Sequence, residues 1–438
     1  MALFFVPLSA KLVVPTEESQ NNDLNIDLKV EKYQLDNGMK VLLHVDRSIP
    51  MVSVNQWYDV GSFHEERNRT GLAHFFEHLM FKGTPKFPDG KFDEIVSKVG
   101  GQNNAFTSRD YTGYYEIIPS ASLEQVLELE ADRMVNLSLT LPQIQKEREV
   151  VKEERRMRTE NSPDGYIFEV MMEKAFEGHP YSSSVIGSME HLNQTDLNDF
   201  MAFYKKFYAP NNSTLLLVGD FDISIAKSLI KKYFSKIPKS DLQEIKALAV
   251  PRTKKSSLSV ENKKFDERKL AIYFQAPAMG TRDSFVLDLI CEVLAGDDAS
   301  PISKILVEEK KLSTGVSFWN YSLKYAGAIS FNSDIIGKKS FQDVEKVFFD
   351  QVKSLQKNGA TLDQIQKSKD KISFEYVQSL TTLGGKARVL AQSEVVRGDY
   401  KSFFVDLKEY QSVSNQEIMT VAKKYLNKDQ SHIMYLGK

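Results

Sequence analysis

At 438 residues the chain is too long for one ordinary core and implies at least two domains. Hydrophobic residues make up 42% and charged residues 26%, a globular composition. The formal net charge of -2 exerts no pull on a polyanion, which argues against nucleic acid as a partner. The single cysteine, Cys291, excludes an intramolecular disulfide and a cysteine-built metal site. It lies in an apolar helical run, Val286 to Leu294, and is expected to pack there as a small hydrophobe.

Met1 to Val14 are apolar and precede a polar run, Pro15 to Asn25. They resemble the tail of a signal peptide, although no basic residue stands before them. Residues 1–27 are therefore read as a tail or signal remnant, and export to the periplasm is favoured over a cytoplasmic location. No run of about 18 apolar residues exists, so no membrane-spanning helix is expected.

Leu28 to Leu35, the turn residues Asp36-Asn37-Gly38, and Lys40 to Val45 predict a hairpin. Met51 to Val60 predicts a further strand, alternating at Val52, Val54, Trp57 and Val60. Next comes Gly71-Leu72-Ala73-His74-Phe75-Phe76-Glu77-His78-Leu79-Met80. His74 and His78 are four apart, so on a helix both imidazoles share one face and can reach one metal ion. Glu77 adjoins His78 and brings a carboxylate beside that ion. His-x-x-Glu-His inverts the commoner zinc-protease order. By chance it would arise about 0.01 times in a chain of this histidine content, which makes it a specific signal. The bland alternative is two surface histidines on an amphipathic helix.

Downstream, Asp89-Gly90 opens a short helix that Gly100-Gly101 stops. Gln102 to Ser108 and Tyr111 to Ile118 predict a strand pair. Ser122 to Leu137 and Thr140 to Arg158 predict helices, and Asn212 to Gly219 a buried strand. Residues 236–264 read as an interdomain linker containing a strand. The second half then echoes the first. Thr140 to Lys146 matches Thr361 to Lys367 at an offset of 221, and Ser213 to Gly219 matches Ser431 to Gly437 at 218. The fold class expected is α+β: two duplicated domains, residues 28–235 and 265–438, each a mostly antiparallel sheet packed with helices. The stretch of the second half facing the motif, Ala295-Gly296-Asp297-Asp298-Ala299, has no histidine, so one metal site per chain is expected, in the first half.

A catalytic zinc takes three protein ligands and leaves one position open. His44, His64, His179, His191 and His432 are scattered singly and read as surface or capping residues. Helix Thr140 to Arg158 is rich in carboxylates. Glu147 and Glu154 lie two turns apart on one face, with Val150 and Val151 marking that face as core-directed. Glu149 and Glu153, beside Arg148, Lys152 and Arg155, read as a solvated ion-pair surface. Spacing alone leaves the choice between Glu154 and its neighbours open.

From about residue 28 onward the chain resembles the pitrilysin/insulinase family of zinc peptidases, and especially its short members such as processing-peptidase subunits. Gly61-Ser62 with the motif and Phe81-Lys82-Gly83-Thr84 carry this resemblance. So do Gly101 to Ser108 with Asp110 and Tyr114, Glu147 to Glu154, and His179-Pro180-Tyr181 with Ile186-Gly187. The resemblance implies one Zn2+ per chain held by His74, His78 and Glu154. It implies Glu77 as the general base and Glu147 as a catalytic residue that orients a ligand or water. It also places Asn103, Asn104, Ala105, Phe106 and Thr107 on an edge strand that takes the peptide substrate by backbone pairing.

One departure stands out. Family members commonly carry a substrate-holding Arg and Tyr, seven apart, in the second half; here Val307 and Thr314 occupy those places. Tyr321 or Tyr325 is a candidate substitute, which nothing in the sequence demonstrates. The resemblance implies one half of a clamshell. A homologous partner subunit supplying the Arg/Tyr pair is therefore expected, as a heterodimer ahead of a homodimer. The function read from the sequence is a zinc endopeptidase for peptides or unfolded segments. The competing reading is a non-catalytic structural subunit like the respiratory-chain core proteins.

Overall fold

The computed structural model describes residues 28–437 apart from 243–247 and 262–263. The N-terminal tail lies outside the described residues, as does part of the linker. Two sheets organise the molecule. The first comprises β1 (Val30–Gln34), β2 (Lys40–Val45), β3 (Met51–Tyr58), β4 (Gln102–Thr107), β5 (Thr112–Pro119) and β6 (Ser213–Gly219), in the order β1-β2-β6-β3-β5-β4. The second comprises β7 (Ser256–Val260), β8 (Lys269–Ala276), β9 (Ser313–Ser322), β10 (Gly327–Ile335) and β11 (His432–Leu436), in the order β7-β11-β8-β10-β9. β2 runs parallel to β6 and β7 to β11; every other pair is antiparallel. The second sheet is the first without β1, which is the duplication read from the 221 and 218 offsets. The linker strand is β7, an edge of the second sheet.

Helices of interest are α1 (Leu72–Leu79), α2 (Leu123–Asn136), α3 (Leu141–Arg155), α4 (Pro163–Ala175), α5 (Leu197–Phe207), α6 (Arg282–Ala295), α7 (Leu362–Ser379), α8 (Leu383–Arg397) and α9 (Ser402–Gln411). One face of the first sheet packs on α1, α2 and α5 through Val52, Val54, Leu215 and Leu217. Its other face, with Leu42, Trp57, Leu216 and Val218, is covered by Leu383, Ala387, Leu390 and Ala391 of α8, a helix from the second half. The converse also holds. Ile167, Met171 and Met172 of α4, from the first half, cover Ala271, Tyr273, Ala328 and Met434 of the second sheet. Each half thus lends a helix to the other's sheet. Burying a leucine such as Leu390 contributes about 1.5–3 kcal/mol, so the exchange ties the halves together.

This exchange overrides the alternating pattern read for Met51 to Val60. Positions Val52 to Tyr58 are all buried, because helices cover both faces. Cys291 is buried in the apolar core of the second half, as expected. No helix among the described residues is long and apolar enough to cross a membrane.

Candidate metal centre

Helix α1 begins at Gly71, whose φ of +88° is left-handed. A Cβ there would lie 2.6 Å from the Ile186 carbonyl oxygen and 2.7 Å from Gly187 Cα. Only glycine fits so close an approach. The Glu65 carboxyl caps the helix, accepting from Gly71 N at 2.8 Å and Ala73 N at 2.7 Å, although burial outweighs these bonds and pushes it up to about 8. Leu72, Phe75, Phe76 and Leu79 anchor α1 in the core. His74 and His78 are thereby set one turn apart, with ring centroids 4.9 Å apart.

Glu154 of α3 meets both rings. Its Oε2 lies 3.5 Å from His74 Nε2 and 3.3 Å from His78 Nε2. These three residues are the one group among the described residues whose donor atoms, all within 4.8 Å of one another, could hold a metal ion. Glu147, two turns earlier, holds His78 Nδ1 at 2.9 Å with one oxygen and Lys82 Nζ at 2.7 Å with the other. With Nδ1 so engaged, His78 Nε2 is left to face Glu154. His74 Nδ1 is buried and finds no partner among the described residues. Two imidazole nitrogens and one carboxylate, with no cationic side chain among them, form a donor set that suits Zn2+. Arg158 pairs with the remaining oxygen of Glu154 at 2.9 Å.

Glu77 turns towards the edge strand, where Thr107 Oγ1 donates to its Oε2 at 2.5 Å. Burial raises the Glu77 carboxyl above the usual range, and the Thr107 hydrogen bond opposes that rise. Burial, reinforced by the neighbouring His78, lowers His74 to about 4. Burial acts the same way on His78, but the bonds to Glu147 and Glu154 outweigh it and lift the ring to about 9. Burial would raise Glu147, yet His78 and Lys82 together hold it below the ordinary range. The His78 bond likewise lowers Glu154. His78 lies between the Glu147 and Glu154 carboxylates, which is a position that stabilises a positive charge.

β4 is an edge strand paired only to β5. Thr107 and Ala105 share the face of Glu77. Phe106 points the other way and packs edge-on against Trp57 at 4.9 Å. Asn103 Nδ2 donates to Asp93 at 2.7 Å, and the Asn104 side chain accepts from Ala105 N at 2.8 Å.

Several details of the sequence reading need correction. Val150 is 47% exposed, so Val151 with Ile144 marks the buried face of α3, and Val150 does not. Arg155 is not part of the solvated surface; it is buried and pairs with Glu169 at 2.8 Å. Arg148 also leaves that surface, donating to the Thr195 carbonyl at 2.6 Å, whereas Lys152 pairs with Glu149 at 2.9 Å and Glu153 pairs with Arg156 at 2.8 Å. Of the five single histidines, His179 caps a helix as read, but His44 and His432 are buried, which corrects their reading as surface or capping residues. Long-range hydrogen bonds hold His191 to Thr70 Oγ1 at 2.7 Å and His432 to Ser256 Oγ at 2.7 Å. Tyr325 and Tyr321 pack in the junction of the halves, against Phe63 at 4.7 Å and Phe168 at 5.5 Å. The sequence reading missed Lys82, Glu65 and Arg158. Arg158 stands four residues after Glu154, a helical-neighbour signal that was available. Lys82 lies beyond the end of α1 and meets Glu147 from another element, so spacing gave no sign of it.

A duplicated α+β chain with a His, His, Glu cluster on two helices and a carboxylate beside an edge strand has the architecture of a metallopeptidase half-clamshell. The chain belongs to the insulinase/pitrilysin family, M16. Residues 40–189 match the model described as insulinase (peptidase family M16), and residues 195–372 that of the M16 inactive domain. It is 29% identical to the zinc protease PqqE of Helicobacter pylori over 417 residues, 93% of each chain. It is 28% identical over 303 residues to the bovine cytochrome b-c1 complex subunit 1, spanning 67% of this chain and 62% of that one. The crystal structure of a Helicobacter pylori protease superposes with a TM-score of 0.89 at 28% identity, covering 94% of this chain and all of that one.

Proposed function

We propose that this chain is a zinc-dependent endopeptidase acting on peptides or unfolded segments, with residues 28–235 as its catalytic domain. One observation carries the reading: His74 Nε2, His78 Nε2 and Glu154 Oε2 converge beside Glu77, which is itself bonded to the edge strand. His74, His78 and Glu154 would hold the zinc, which when bound acidifies water and polarises the scissile carbonyl. Glu147, charged and braced by Lys82, fixes the tautomer and angle of His78. Glu77 accepts the proton of the attacking water and passes it to the leaving amine. Its raised affinity for a proton suits both tasks. The peptide lies along β4 through backbone hydrogen bonds at Asn103 to Thr107, which recognises extended chains with little demand on sequence.

Val307 and Thr314 stand where the family's substrate-holding Arg and Tyr are expected. This supports a heterodimer in which a homologous subunit supplies that pair. Export to the periplasm rests on the apolar N-terminal run alone. The likeness to the cytochrome b-c1 subunit favours a second reading, a non-catalytic subunit of a larger complex. The test is metal analysis with a fluorogenic-peptide assay, on the chain alone and mixed with a homologous subunit. Zinc with cleavage on mixing supports the proposal, and rapid cleavage by the lone chain removes the heterodimer from it. A chain that takes up no zinc and cleaves nothing in either state supports the structural subunit.

A further inference from the structure

The duplication gives the metal cleft a counterpart in the second half, and that counterpart is a cavity. Register fixes the correspondence. Thr107 pairs with Thr112, which pairs with Tyr58 at the end of β3. Ser322 pairs with Gly327, which pairs with Ala276 at the end of β8. Ser322 therefore stands where Thr107 stands in the first half. The 221-residue offset places Glu375 of α7 where Glu154 stands on α3. Both Ser322 and Glu375 line a cavity of about 570 Å³ between α6, α7, α8, α9 and the end of β9.

Its chemistry differs from that of the metal cleft. It contains no histidine or lysine, and four carboxylates (Asp110, Asp288, Glu375, Asp406) face two guanidiniums, Arg388 and Arg397. Arg397 is spent on Asp406, with contacts of 2.5 and 2.6 Å. Arg388 extends over the Phe106 ring, 5.8 Å from its centroid. Asp110 is taken by the Tyr181 hydroxyl at 2.5 Å and Lys324 N at 2.9 Å. Asp288 has only neutral donors, the Tyr410 hydroxyl at 2.7 Å and Asn320 Nδ2 at 2.9 Å. The other end of that amide, Asn320 Oδ1, is buried with no partner among the described residues. A carboxylate so enclosed without a counter-charge is costly.

We propose that this cavity binds a cationic group, an ammonium or guanidinium carried by a ligand, with Asp288 as counter-ion. Tyr376, Tyr410 and Phe285 line the cavity, and aromatic surroundings favour a cation. The volume accommodates a lysine or arginine side chain. The group comes either from the basic residue of a peptide or from a free amine.

Calorimetric titration of the full zinc-loaded chain distinguishes these sources, with Glu77→Gln present to prevent turnover. The probes are acetyl-Ala-Lys-Ala-amide, its norleucine analogue and n-butylamine. The lysine peptide is expected to bind at least ten-fold more tightly than the norleucine peptide, and Asp288→Asn to abolish that preference. Should Asp288→Asn fail to fold, Glu375→Gln at an exposed position is expected to reduce the preference several-fold. Butylamine matching the lysine peptide assigns a free amine; butylamine binding more weakly assigns a peptide side chain. Both outcomes support the site. Equal binding of the lysine and norleucine peptides overturns it, as does a preference that survives both folded variants. None of these readouts depends on catalysis, so the peptidase reading could fail while this site stands.

Discussion

Glu147 and His78 are joined at 2.9 Å, Oε1 to Nδ1, and Lys82 at 2.7 Å holds the other oxygen of the carboxylate. A charged acceptor on the far nitrogen fixes which imidazole nitrogen faces Glu154 and raises its basicity. Glu147→Gln keeps the shape but loses the charge and can rotate its amide. Zinc affinity, measured by chelator competition, is expected to fall about 10–100-fold, with the fold unchanged by circular dichroism. Unchanged affinity would remove Glu147 from the site.

Thr107 touches Glu77 from the edge strand at 2.5 Å. The hydroxyl donates to the charged form of the carboxylate, which holds its pKa down against burial. Thr107→Val removes the donor and leaves burial unopposed, so Glu77 stays protonated to a higher pH. The acid limb of the kcat/KM profile is therefore expected to move to higher pH. With a charged hydrogen bond worth about 1.5–3 kcal/mol, that displacement is expected to be about 1–2 pH units. A limb that stays in place, or moves to lower pH, contradicts this role.

Gly187 meets Gly71 at the start of the motif helix. Its φ is +78°, and a Cβ would lie 2.3 Å from the Thr70 carbonyl oxygen. Gly187→Ala is expected to cost about 1–3 kcal/mol from the backbone conformation alone, more if the clash pushes α1 away. Urea unfolding measures the first effect and zinc content the second. A variant as stable as the parent would show that the loop relaxes freely.

Much of this was legible in the chain. His74, Glu77 and His78 are local, and helical spacing alone puts the two rings on one face. The repeat offsets announced two equivalent sheets. Glu154 was less legible, because helix spacing selects a face but not which of several carboxylates meets an imidazole from another helix. The buried Arg155 and exposed Val150 inverted the composition rule, since a guanidinium with a carboxylate partner can be buried and a valine at a helix surface can be exposed. The exchange of α4 and α8 was invisible. Each helix is apolar enough to be buried, but nothing in its own sequence says which sheet it covers. The cavity at Asp288 was hidden for the same reason, because it depends on four helices and a strand end meeting.

The most direct test of the peptidase reading compares the parent with Glu77→Gln, measuring zinc by atomic absorption and peptide hydrolysis in the presence of the partner subunit. The expected result is one zinc per chain in both proteins, with hydrolysis in the variant reduced at least about 10²–10⁴-fold, the range of general-base catalysis. A variant that has lost its zinc would make Glu77 a ligand. One that keeps both zinc and full activity would mean that Glu77 is not the base.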